Sequence, residues 1–137
     1  MSTQQTETVV MTIDAPPSRL SEDLANPGSH LEWATEFFAG EAVDQGDGTW
    51  SMNVPRMGGP VIFRTDGATE LGVIDMYIAP VGAPFGPPLP VRVVPNGDGA
   101  DVLFTLARIP GQTDEEWDEG IASMRRELLN LKARHES

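Results

Sequence analysis

The sequence predicts an α+β domain: a curved antiparallel sheet of about six to seven strands wrapped around one long C-terminal helix, with two short helices after the first strand. Three observations predict it. Trp117, Ile121, Met124, Leu128 and Leu131 recur at alternating steps of four and three, so Thr113 to about His135 reads as one amphipathic helix. The middle of the chain is a series of short alternating runs separated by Gly-Asp-Gly and Asn-Gly-Asp-Gly turns. Between the first such run and the rest lie two stretches with helical spacing.

Taken in order, Thr8 to Asp14 places Val9, Met11 and Ile13 on one strand face, and Ala15-Pro16-Pro17 ends it. Residues 1–7 are expected to be a flexible tail. Ser18 to Ala25 forms a short helix through Leu20 and Leu24. Asn26 suits an N-cap and Pro27 a first helical position, which predicts a second helix carrying Leu31, Trp33, Ala34, Phe37 and Phe38. Strands are expected at Glu41–Asp44, Thr49–Val54, Val61–Thr65, Leu71–Ala79, Val91–Val94 and Ala100–Ile109. Pro80 to Pro90 carries five prolines and two glycines in eleven residues, which predicts an irregular exposed loop near one end of the sheet. Alternation does not decide whether Val102, Phe104 and Leu106 or Leu103, Ala107 and Ile109 face inward. The terminal helix opens with Thr113 three residues before Glu116, a capping box, and its acids precede its bases, as the helix dipole favours. At 1.5 Å per residue it is roughly 30 Å long, enough to cover the inner face of a small sheet.

Composition excludes several classes of function. The chain has 137 residues, enough for one domain with a real core. It has no cysteine, so disulfides, thiolate metal sites and cysteine nucleophiles are out. A net charge of −12, from 21 acids against 9 bases, repels nucleic acid and anionic membrane surfaces. No run approaches the ~20 apolar residues of a membrane span, and the polar first residues predict a cytoplasmic protein.

Chemistry-bearing constellations are few. Glu32 and Glu36 stand four apart on the expected second helix with His30 close by, an arrangement suited to acid–base work, but a solvated charged face is the preferred reading. His30 and His135 are the only histidines, and neither has metal-ligand spacing. No nucleophile elbow, phosphate loop or dinucleotide fingerprint is present, so neither metal, cofactor nor catalytic residue is assigned. Arg64 and Asp75, on consecutive strands, are expected to pair across the outer face; the alternative is Arg64 holding a carboxylate ligand inside. The remaining candidates are apolar: Trp33, Phe37, Trp50, Met52, Met76, Trp117, Ile121 and Met124. Aromatic and methionine side chains suit an adaptable ligand pocket, and they equally fill ordinary cores.

The order of features resembles the START/Bet v 1-like superfamily of helix-grip domains, also called the SRPBCC or polyketide cyclase group. The matching residues are Ile13-Asp14-Ala15-Pro16-Pro17 leading into paired short helices, the Gly46-Asp47-Gly48-Thr49-Trp50 hairpin, and the closing run from Pro110-Gly111-Gln112-Thr113 to Leu128-Leu129-Asn130-Leu131-Lys132. The likeness covers about Thr8 to Arg134 and departs at Pro80–Pro90. It implies an apolar cavity between helix and sheet that often holds lipids, sterols or polyketides, and it carries over no catalytic residue. The leading expectation is binding of a hydrophobic or amphipathic small molecule without cofactor. The alternatives are a polyketide cyclase or dehydratase, and an interaction module of the kind seen in helix-grip chaperone activators.

Overall fold

The structure, a computed structural model, describes residues 3–136. Seven strands, β1 (Thr6–Ile13), β2 (Ala39–Asp44), β3 (Trp50–Val54), β4 (Gly59–Asp66), β5 (Val73–Pro80), β6 (Leu89–Asn96) and β7 (Gly99–Ala107), form one curved antiparallel sheet in the order β1-β7-β6-β5-β4-β3-β2. Helix α1 (Pro17–Ala25) and a 3₁₀ turn (Pro27–Glu32) follow β1, and α2 (Asp114–Glu136) ends the chain. The expected α+β architecture is the one observed. β1 begins at Thr6, and its Thr6 and Glu7, expected to belong to a flexible tail, pair with Ala107 and Leu106; Met1 and Ser2 lie outside the described residues.

Strand pairing lines up the inner face in rows. Val9, Phe104, Val91 and Ile74 stand side by side across β1, β7, β6 and β5, and all four are buried. This decides the last strand: Val102 and Phe104 point inward, while Ile109 lies beyond β7 and is exposed. Against these rows α2 presents Trp117, Ile121, Leu128 and Leu131, all buried, with Met124 half-buried. The capping box forms as expected: Glu116 N donates to Thr113 Oγ1 at 3.1 Å, and Thr113 N donates to Glu116 Oε1 at 2.9 Å.

Two expectations about the strands change. The irregular segment is 81–88, because Pro80 ends β5 and Pro90 lies within β6. Pro80 pairs only with Val61 of β4, beyond the last β5–β6 partners Met76 and Leu89, so its missing N–H leaves no ladder bond unmade on that side. Arg64 faces outward, but its cross-strand partner is Tyr77, not Asp75. The guanidinium lies 4.1 Å from the Tyr77 ring centroid and bonds Asp66, while Asp75 takes Arg92 at 2.9 Å. Alternation with buried Val61 and Phe63 keeps Arg64 away from the interior, so it anchors no ligand there.

The second helix forms only over Pro27–Glu32, as a 3₁₀ helix, and does not carry on to Phe38. The Asn26 side chain does accept from Gly28 N, but the 3₁₀ turn stops at Glu32 and the chain runs irregularly to Phe38. Helix α2 supplies the reason. Its Glu127 carboxylate takes the N–H groups of Glu36 and Phe37, both at 3.0 Å, and Asn130 Nδ2 donates to the Trp33 carbonyl at 3.1 Å. Donors and an acceptor that a helix would use internally are bonded to a neighbour instead.

Trp117 is 6% exposed and belongs to the apolar seam between α2 and the sheet. Trp117→Ala is expected to cost about 3–5 kcal/mol in urea unfolding, the range for emptying a buried aromatic site. A loss under about 1 kcal/mol would mean that the first half of α2 does not hold the sheet closed.

Candidate functional site

The eight apolar candidates divide by burial. Trp33, Met52, Met76, Trp117 and Ile121 are buried in the core, whereas Phe37, Trp50 and Met124 are half-buried against it. Trp50 is covered from above: a Cβ on Gly28 would meet its ring at 3.1 Å, so that residue must be small. The centre of the interior is filled by rings rather than left as an open chamber. His30 lies 5.0 Å from Trp33 and 5.2 Å from Phe63, and Trp33 meets Phe104 edge-on at 6.0 Å, centroid to centroid.

At one end of the sheet the inner rows finish in partly buried side chains. Ile78 on β5, Leu89 on β6 and Leu106 on β7 share the inward parity of Met76, Val91 and Phe104, yet each is only partly buried. They stand at the strand ends next to the 81–88 segment and the connection into α2, and Phe37 and Met124 are partly buried in the same way. This apolar rim includes three side chains, Ile78, Leu89 and Leu106, that were not among the eight candidates. Their signal in the sequence was inward alternation continued to the very end of a strand.

Two surface pockets lie elsewhere, and neither is lined by any of the eight. One, about 540 Å³, is walled by Arg19, Glu22, Asp23, Asn26, Arg134 and His135. The other, about 820 Å³, runs between α1 and the 69–72 turn, bordered by Leu71, Gly72, Val93 and Pro95. In the first, burial works against the charge of Asp23, but hydrogen bonds from Arg134 and His135 outweigh it and hold the carboxyl below its usual range.

Glu32 and Glu36 do not form an acid–base pair on one helix. Glu36 is held by both nitrogens of a fork from Arg126, at 2.8 Å each, and by Ser123. These bonds pull its carboxyl down to about 2. The buried acid is Glu127, 2% exposed, which burial pushes upward against its two backbone bonds. Sequence reasoning missed it, although Glu127 follows Met124 by three and precedes Leu131 by four, on the apolar face of α2. His30 is buried too, 2.8 Å from the Leu24 carbonyl. A carbonyl only accepts, so Nε2 carries the proton. Burial pushes its pKa down to about 4. Among the described residues no three histidines, cysteines or carboxylates gather as metal ligands.

No protein-family model and no curated protein matches this sequence. Solved structures do. The Aha1 dimer from Colwellia psychrerythraea aligns over 96% of each chain with a TM-score of 0.68 and 18% identity. Protein CV1439 from Chromobacterium violaceum aligns over 96% of this chain and 98% of its own, with a TM-score of 0.70 and 17% identity. Ara h 8.0201 covers 95% of this chain and 96% of its own, at 0.64 and 13%. The chain has the START/Bet v 1-like helix-grip fold. At these identities the likeness is one of fold. Within the helix-grip frame the grip is exerted by α2 on the inner rows of the sheet, and the rim lies beside its first half. No helix among the described residues is long and apolar enough to cross a membrane.

The neutral, buried His30 predicts a pH dependence of stability. A histidine whose folded pKa lies below its unfolded value is protonated more readily in the unfolded chain. Its contribution is therefore complete above the usual 6.5 and is lost as pH falls toward about 4. The shift corresponds to about 3 kcal/mol. Glu127, pushed upward, acts with the opposite sign, so the informative quantity is the difference between two slopes. Denaturant unfolding of the parent and His30→Gln from pH 7 to 4.5 should show the loss flattened in the variant. Parallel profiles would mean that His30 is protonated inside the fold.

Proposed function

We propose that this protein binds a hydrophobic or amphipathic small molecule at the end of the helix–sheet interior, without cofactor and without turnover. The observation that carries the reading is a set of half-buried apolar side chains, Phe37, Ile78, Leu89, Leu106 and Met124, each packed against the fully buried core. Such side chains have a surface still to remove from water, at about 25 cal/mol per Å². Methionine at position 124 lets the site adapt to the shape of an entering molecule. Buried Trp33, Met52, Met76, Trp117 and Ile121 form its floor, and Trp50 stiffens that floor from the side of the 3₁₀ turn.

The state of the ionisable groups near the interior supports a reading without turnover. Glu36 is neutralised by Arg126, Glu127 Oε2 is tied to two backbone donors, and the His30 Nε2 proton is engaged by Leu24. A general acid or base needs a proton or lone pair within reach of a substrate, and these atoms are engaged within the fold. The ligand-binding reading also accords with the fold, which offers one concave apolar face covered by one helix.

Binding is expected at micromolar strength, about −8 kcal/mol. Titration with a lipophilic naphthalene-based fluorophore should show saturable enhancement and a blue shift. Met124→Trp, which fills the rim rather than the packed centre, should weaken binding at least tenfold while changing the urea midpoint little. No saturable binding by the parent, or an unchanged affinity in Met124→Trp, would reject the site.

A further inference from the structure

Resting on that reading, the ligand itself can be narrowed. Among the described residues, Trp33 Nε1 is the one buried side-chain nitrogen or oxygen that finds no hydrogen-bond partner. The residue is 1% exposed, and a buried indole N–H without an acceptor is a standing cost that native proteins seldom leave uncompensated. The backbone of Trp33 is also held in place. Its backbone N–H bonds the His30 carbonyl at 3.3 Å and its own carbonyl takes Asn130 Nδ2, so both ends of the residue are pinned, the second by α2.

The place of this donor links it to the rim. Trp33 meets Phe104 edge to face, and Leu106 of the rim is the next inward residue along β7. The rim residue Leu106 thus stands one inward position from the ring that Trp33 packs against. The surroundings also set the charge it can bring. Among the described residues the buried polar side chains are Ser21, Ser29, His30, Ser123 and Glu127, one of them itself a carboxylate; the guanidinium of Arg56, 5.9 Å over the Phe37 ring, belongs to an exposed residue outside this interior. An anionic head would lose its hydration there with no partner to replace it.

We propose that the ligand is an uncharged molecule bearing a carbonyl oxygen, a ketone, ester or amide on a hydrophobic body, and that this oxygen accepts the Trp33 Nε1–H bond. The pairing makes Trp33 a specificity-determining residue: it discriminates against hydrocarbons, which leave the donor unpaired, and the absence of a cation among the buried described residues discriminates against carboxylates at that depth. A site with a buried donor rejects a molecule lacking the acceptor far more strongly than a purely apolar one does.

The test uses three probes of one shape: 2-acetylnaphthalene, 2-ethylnaphthalene and 2-naphthoate. Their dissociation constants are measured with the full chain at pH 7, and the three indole N–H signals are followed by ¹H–¹⁵N NMR, with Trp50→Phe and Trp117→Phe assigning Trp33 by elimination. The acetyl compound should move the Trp33 proton downfield while the ethyl compound does not, and naphthoate should bind weakest. In Trp33→Phe the ratio of ethyl to acetyl affinity should change about tenfold in favour of the ethyl compound, equivalent to about 1.4 kcal/mol. The spectra of the parent protein keep the test decisive even where Trp33→Phe folds poorly. If neither neutral probe binds, the rim is not a ligand site and this inference falls with it. If both bind with the Trp33 signal unmoved and the ratio unchanged, the inference alone falls. A Trp33 proton already hydrogen-bonded and slow to exchange before any probe is added overturns it as well, since a resident water then satisfies the donor.

Discussion

A curved sheet cannot cover its own concave face, and in this protein the apolar stripe of α2 closes it. The rows running from Ile74 through Val91 and Phe104 to Val9 would lie open to water without Trp117, Ile121, Leu128 and Leu131 against the sheet. That contact is non-directional. The direction comes from polar bonds along the same helix: Arg108 to Asp114 at its start, and Glu127 and Asn130 to the 33–37 backbone at its middle. At its end, Lys132 bonds the Thr12 carbonyl, Arg134 bonds Asp23, and Glu136 accepts from Asp14 N. Together they fix where along the sheet each apolar side chain of α2 comes to rest.

The middle clamp also shapes the floor of the candidate site. A carboxylate accepting two backbone N–H groups is a strong, geometrically restrictive bond, and it holds residues 33–37 open as an irregular segment. The consequence is that Trp33 points into the core beside His30 and Phe104, whereas Phe37 stays at the rim with Met124. Two aromatic residues four apart in the sequence thus take different roles, one as floor and one as lip. A regular helix would have put both on one face.

The interior is less apolar than its residue count suggests. A neutral imidazole, a carboxyl group and an indole N–H sit among the rings and aliphatic chains, while the fixed charges are carried outside in pairs such as Arg126 with Glu36 and Arg92 with Asp75. This separation suits a site for uncharged molecules. In the proposed site a few placed polar atoms would discriminate, and apolar area would supply the binding energy. The strongly acidic exterior adds solubility and keeps anions at a distance.

The periodicity of α2, its capping box, the hairpin turns and the alternation of the strands were all legible in the sequence. Each is set by residues within a few positions of one another, through helix geometry, turn chemistry and the two faces of a strand. All eight candidate side chains were read as pocket or core residues from their apolar character, and packing alone separates the five buried ones from Phe37, Trp50 and Met124. What only the tertiary structure decided depends on residues far apart in the chain. Asn26-Pro27 starts a helix as its local chemistry dictates, yet Glu127, some ninety positions away, stops it from continuing. Arg64 has Asp75 near it in sequence but lies on Tyr77, because register rather than proximity sets cross-strand partners. That Trp33 Nε1 is left without an acceptor could not be read locally either. A donor is satisfied or orphaned by every atom packed around it, and that surrounding shell exists only once the helix has closed on the sheet.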